Sequence, residues 1–219
     1  MMGEAKVIVD PEKSALLVVD LQPDFMPGGA LPVAEGDRIV VPVCELLRSG
    51  VFRVMLATQD WHPRGHVSFA SSHAGRRPFD VIDLYSHPQT LWPDHCVQGT
   101  AGAMIHSSCP MDAVAAIIRK GTDPLCDSYS GFRNNWNSMG ERPPTGLAGY
   151  LKDLGITDAF LCGLARDFCV KWSAEDAAAA GFRTWVLWDL TRPVDPSSDE
   201  KVRSDLVSRG VHIINIDQL

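Results

Sequence analysis

Residues 161–172 read Leu161-Cys162-Gly163-Leu164-Ala165-Arg166-Asp167-Phe168-Cys169-Val170-Lys171-Trp172. An apolar run stops at a glycine, and a few residues later the pattern becomes that of a helix with a cysteine in its first turn. A strand feeding a helix is the repeating unit of α/β proteins. A thiol at such a junction lies beside unpaired backbone N–H groups and the positive end of the helix dipole, which favour the thiolate. Cys169 is therefore a candidate nucleophile. Against this stands the plainer possibility that cysteine, a small and commonly buried residue, only packs there. Charged residues at other strand ends decide between the two.

Working outward, the same unit recurs. Residues 15–20 (ALLVVD) and 53–60 (RVMLATQD) are apolar runs closed by an acid. Such runs suit parallel strands buried on both faces, and a charge at their stop lies on the carboxyl edge, where open α/β sheets place ligands. Residues 113–119 fit helix or strand by periodicity; their length and the stop at Arg119-Lys120-Gly121 favour a strand. Further strands are expected at 156–162, at 183–188 before Asp189, and at 211–215. Helices are expected at 37–49, 146–154, 168–180 and 197–209. The alternation predicts an α/β fold with a parallel sheet and helices on both faces. Residues 67–110 and 121–145 lack periodicity and read as long functional excursions over the sheet edge. No linker divides the chain, so residues 1–219 are expected to form a single domain.

A formal charge of -7 argues against nucleic acid or an anionic membrane as the main partner, which points to a small molecule. The N-terminus carries Glu4 and no signal-like apolar core, and no run approaches the ~18 apolar residues of a membrane span. Six cysteines without a C-x-x-C pair fit a reducing compartment, so a cytoplasmic location is expected. The sequence is compatible with a homo-oligomer and does not specify one.

Asp60-x-His62 places a carboxylate and an imidazole two residues apart, on the same side of an extended chain, where both can meet one cation. His95 would complete a mixed N/O set, and His66 is either a fourth ligand or a partner hydrogen-bonded to one. Asp20 and Lys120 both end apolar strands, where desolvation penalises an unpaired charge, so they are expected to face each other. A carboxylate paired in this way can take a proton from a nearby thiol.

Together these residues carry a resemblance. Val19-Asp20-Leu21-Gln22-x-Asp24-Phe25, Asp60-Trp61-His62-Pro63, Leu91-Trp92-Pro93-Asp94-His95-Cys96-Val97-Gln98-Gly99-Thr100, Lys120-Gly121, Asp127-Ser128-Tyr129-Ser130-Gly131-Phe132 and Gly163-Leu164-Ala165-x-Asp167-Phe168-Cys169-Val170 resemble, in order, the nicotinamidases of the isochorismatase-like hydrolase superfamily. The resemblance implies a three-layer α/β/α sandwich with a six-stranded parallel sheet in the order 3-2-1-4-5-6. It implies a catalytic triad of Asp20, Lys120 and Cys169, and an oxyanion hole from the backbone N–H groups of Ala165 and Cys169. Substrate contacts are expected from Phe25, Leu31, Trp92, Tyr129, Leu164 and Ala165, with a cis peptide between Leu164 and Ala165. One divalent metal is expected on Asp60, His62 and His95, zinc foremost, with manganese or iron as alternatives. The implied reaction is hydrolysis of nicotinamide to nicotinic acid and ammonia through a cysteine thioester, feeding NAD salvage. Phe168 departs from the His or Tyr of many relatives and makes that wall more apolar. Amidases acting on ureido or carbamoyl substrates are disfavoured because they need no metal to hold a pyridine; isochorismatase is disfavoured because it lacks the nucleophilic cysteine.

Overall fold

The computed structural model describes residues 6–219, so the expectation resting on Glu4 lies outside the described residues. In chain order the strands are β1 (Ser14–Val19), β2 (Val54–Asp60), β3 (Val81–Leu84), β4 (His87–Thr90), β5 (Ala116–Lys120), β6 (Asp158–Leu164), β7 (Arg183–Arg192) and β8 (His212–Ile214). Six of them form one parallel sheet in the order β5-β2-β1-β6-β7-β8, which is 3-2-1-4-5-6 when only these six are counted.

The helices are α1 (Val40–Arg48), α2 (Leu147–Asp153), α3 (Lys171–Ala179) and α4 (Asp199–Ser208). Alternation along β1 explains why both sheet faces must be covered. Leu16 and Val18 enter one core with Val43 and Leu47 of α1, while Leu17 and Val19 enter a second with Leu151 of α2, Ala177 of α3 and Leu206 of α4. Each such valine or leucine side chain, fully buried, contributes about 1.5–3 kcal/mol. Three layers result. Among the described residues no helix is long and apolar enough to cross a membrane.

Several element boundaries differ from expectation for identifiable reasons. The helix expected at 37–49 opens with a tight 3₁₀ turn, Gly36–Ile39, before α1, and the one expected at 197–209 likewise follows the turn Pro196–Ser198. The third strand, expected at 113–119, starts late: Ala113 closes the short turn Met111–Ala113, and the strand itself begins at Ala116. Asp189 does not end β7. The register jumps from Leu161↔Val186 to Gly163↔Thr191, a bulge that carries the strand on to Arg192. Residues 67–110 contain the antiparallel β3–β4 hairpin, which the sequence reading did not include.

Candidate active site

The sheet's carboxyl edge brings the strand-end residues together. Asp60 and Lys120 are register partners on β2 and β5, and Val19 pairs with Gly163, so Asp20 emerges beside the segment leading to Cys169. Gln22 locks two of these ends: it donates to the carbonyls of Asp60 and Ala103 (both 2.8 Å) and accepts from Asp60 N–H (2.8 Å). Thr58 fixes Asp20 by donating to Oδ1 (2.6 Å) and accepting from its backbone N–H (3.1 Å).

Lys120 is the hub, and its ammonium is wholly buried. Nζ lies 2.9 Å from Asp20 Oδ2 and 2.9 Å from Asp60 Oδ1, donates to the Ser128 carbonyl (3.1 Å), and stands 3.4 Å from Cys169 Sγ. Burial alone would discharge it, but the two carboxylates hold its pKa well above the ordinary 10.5. The Asp20 contact is an ion pair without hydrogen-bonding alignment, which leaves Oδ2 a free lone pair. Burial raises the Asp20 pKa, Lys120 pulls it down, and the net direction is upward. That direction suits a carboxylate which must accept and return a proton.

Cys169 sits in a wider turn than expected. Val170 N–H reaches back five residues to the Ala165 carbonyl (3.0 Å), so Arg166–Val170 form one π-type turn before α3. The helix terminus is only one of the influences on this thiol. Burial pushes the thiol well above 9.0; Lys120 draws it back, but Asp20 and Asp60 raise it further. Desolvation outweighs the helix terminus, so Cys169 rests as a thiol that needs a base.

Across the pocket, His62 and His95 each direct Nε2 at Asp60 Oδ2 (3.1 and 3.3 Å). Their Nδ1 atoms contact backbone carbonyls, of Gly121 (3.1 Å) and Pro93 (2.8 Å). A carbonyl can only accept, so Nδ1 of each ring carries a proton, and Nε2 is the atom that a cation would meet in place of a proton, as in metal-binding histidines. The three ligand atoms lie within 4.8 Å of one another. Two imidazoles and a carboxylate fit a divalent transition ion. Burial opposes charge on both Asp60 and His62, yet their mutual attraction wins, with Lys120 assisting Asp60: Asp60 falls well below the usual carboxylate range and the His62 pKa rises. The ring nitrogens of His66 instead contact Ser68 Oγ (2.8 Å) and the Cys126 carbonyl (3.4 Å), and burial lowers its pKa to about 4. His66 does not join the Asp60, His62 and His95 set, although its ring packs 4.2 Å from that of His62.

The two clusters face one pocket of about 350 Å³, open mouth included. Of the expected contacts, Phe25, Leu31, Trp92, Tyr129 and Ala165 line it; the Leu164 side chain instead packs in the core toward Gly36. The Leu164–Ala165 peptide is cis. Trp92 Nε1 donates to Tyr129 OH (3.2 Å), tying the two excursions together over the pocket. Asp127 and Val194 also line it and were missed, because both arrive from irregular loops without a strand-end signal. Asp24, present only as a letter of the resemblance, accepts from Cys96 N–H (2.7 Å) and so anchors the loop carrying His95.

Comparison with known proteins agrees with this geometry. The Isochorismatase domain model matches residues 14–218, and the chain belongs to that family of α/β proteins. Within it, the chain is 43% identical to a nicotinamidase of Acinetobacter baylyi over 92% of each chain. Its fold superposes on an Acinetobacter baumanii nicotinamidase pyrazinamidase with a TM-score of 0.89 and 42% identity, covering 96% of this chain and 100% of that one. A pyrazinamidase of Pyrococcus horikoshii solved in complex with zinc gives 0.74 and 37%, covering 93% and 99%.

Proposed function

We propose that this chain hydrolyses nicotinamide to nicotinic acid and ammonia, as the names of its relatives suggest. The observation that carries the reading is Lys120, which touches both Asp20 and Cys169 on one side and Asp60 of the histidine cluster on the other. The nucleophile and the candidate ring anchor thereby belong to one pocket.

In the reaction Asp20 takes the Cys169 proton, and sulfur bonds to the carboxamide carbon as the carbonyl π pair moves onto oxygen. The Lys120 ammonium offsets the charge arising on sulfur. Backbone N–H groups of Ala165 and Cys169 receive the oxyanion. Collapse breaks the C–N bond, and Asp20 returns the proton to nitrogen, so ammonia leaves a thioester. Asp20 then takes a proton from water as its oxygen attacks the acyl carbon. Expulsion of sulfur, which regains that proton, releases nicotinic acid.

A divalent ion held by Asp60, His62 and His95 would supply a Lewis-acid contact to the pyridine nitrogen, fixing the ring while Cys169 attacks. Zinc is the proposed ion, supported by the zinc complex of the Pyrococcus horikoshii relative; metal analysis of the purified protein would show manganese or iron instead if this is wrong. Nicotinic acid formed here would feed NAD salvage, and six unpaired cysteines suit the reducing cytoplasm. Ammonia release from nicotinamide, lost in Cys169→Ala, tests the assignment. Absence of release by the metal-loaded parent would overturn it.

A further inference from the structure

The two residues between Ala165 and Phe168 take no part in these steps, yet both are firmly tied. Arg166 donates from Nε to Thr191 Oγ1 (2.8 Å), from Nη2 to the carbonyls of Thr191 (2.8 Å) and Trp188 (3.0 Å), and from Nη1 to Asp199 Oδ2 (2.7 Å). Its guanidinium lies 3.9 Å from the Trp188 ring centre. These bonds pin the nucleophile turn to the end of β7 and the start of α4.

Asp167 does something different. One carboxylate oxygen accepts from Val194 N–H and the other from Asp195 N–H, each at 2.9 Å. Charge-assisted bonds of this kind are roughly twice as strong as neutral ones. The segment leaving β7 therefore hangs on the turn that carries Cys169, and from that segment Val194 forms part of the pocket wall. The distance between Val194 and the sulfur is thus fixed through Asp167.

We infer that Asp167 is a positioning residue that sets substrate selectivity, holding Val194 at a fixed place against the ring and closing the pocket to ring-substituted carboxamides. The inference rests on the proposed carboxamide hydrolysis. A one-carbon misfit in a tight apolar pocket is worth about 10–200-fold in discrimination, so a wall held by two hydrogen bonds can govern it. A merely structural Asp167 would lower activity on every amide alike.

The test measures kcat/KM for nicotinamide and for its ring-methylated isomers with the parent, Val194→Ala, Asp167→Ala, the double variant and Asp167→Asn. The parent discriminates against at least one isomer, and Val194→Ala relaxes that ratio by about tenfold. Asp167→Ala relaxes it for the same isomer, and the double variant goes no further than the stronger single change, because both remove one wall. Asp167→Asn keeps one oxygen to accept a single amide and falls between. A parent that accepts all isomers, an unmoved ratio in Asp167→Ala, or relaxations that multiply in the double variant would overturn the inference. Should Asp167→Ala fail to fold, the Asp167→Asn ratio decides by itself, relaxed or unmoved. A parent inert on nicotinamide would overturn the functional reading and this inference with it, whereas an active parent with an unmoved ratio overturns the inference alone.

Discussion

Gly163 crosses Val19 so closely that a Cβ on residue 163 would stand 2.1 Å from the Val19 carbonyl oxygen. The two are register partners in the middle of the sheet, and each precedes a functional residue. Asp20 follows Val19 directly, with φ at 44°, and Ala165 follows Gly163 by two residues. Contact between the two backbones is what brings the base to the nucleophile.

Replacing Gly163 with alanine must therefore part β6 from β1 at that point and force φ of 111° on a residue with a Cβ. Both effects destabilise, together by roughly 2–5 kcal/mol. Urea unfolding should show the loss, and residual folded protein should turn over slowly because Asp20 and Cys169 have moved apart. A variant with the parent's midpoint and activity would show that the crossing tolerates a methyl.

Lys120 neutralises two buried carboxylates at once. Lys120→Met removes the cation, leaving Asp20 without its counter-ion and Asp60 with the histidines alone, which should cost about 3–5 kcal/mol. Adding Asp20→Asn withdraws one of those charges, so the double variant should recover part of the loss while remaining inactive. Equilibrium unfolding of the four proteins measures the coupling. Additive losses would mean that the ion pair is energetically idle.

The Asp20 carboxylate raises the Cys169 pKa through its negative charge. Removing that charge in Asp20→Asn lowers the thiol pKa, which increases the thiolate fraction at any pH below it. At pH 8, alkylation of Cys169 by iodoacetamide should accordingly become faster in Asp20→Asn, while nicotinamide turnover collapses for want of a base. Peptide mapping separates Cys169 from the other five cysteines. Alkylation and turnover falling together would mean that Asp20 lowers the thiol pKa instead.

Where the sequence was legible, a charge ended an apolar run: Asp20, Asp60 and Lys120 could be placed on one edge because burial makes a strand-end charge conspicuous. The β3–β4 hairpin gave no such signal. Its two connecting residues, Tyr85 and Ser86, have φ of 55° and 66°, a geometry usually announced by Asn or Gly. Thr58, two residues before Asp60, could have been found by strand alternation. Asp127 and Val194 reach the pocket from loops set by tertiary contacts, which leave no periodic trace. The upward pull of burial on the Cys169 thiol was not legible either, because helix-terminus reasoning counts a local dipole whereas desolvation depends on the whole fold.

The histidine cluster can be tested by asking which substrate depends on it. Asp60 is a poor choice for mutation because it also pairs with Lys120, so its loss would disturb the nucleophile. His95 is cleaner: among the described residues its ring nitrogens meet the Asp60 carboxylate and the Pro93 carbonyl, and neither nitrogen touches Lys120. If this cluster anchors the ring through a bound ion, nicotinamide should lose on the order of 10²-fold in kcat/KM in His95→Ala, since a misplaced substrate forfeits the orientation that speeds attack. Benzamide has no ring nitrogen, so it should already be a poor substrate of the parent and lose little more in the variant. Chelation of the parent should reproduce the same asymmetry. The comparison belongs in kcat/KM, which reports transition-state stabilisation relative to free enzyme and substrate. Circular dichroism should confirm that the variant is folded. If nicotinamide and benzamide lose the same factor, the cluster serves the chemistry common to both amides, by polarising the carbonyl or supplying the attacking water, and the ring-anchoring role is wrong.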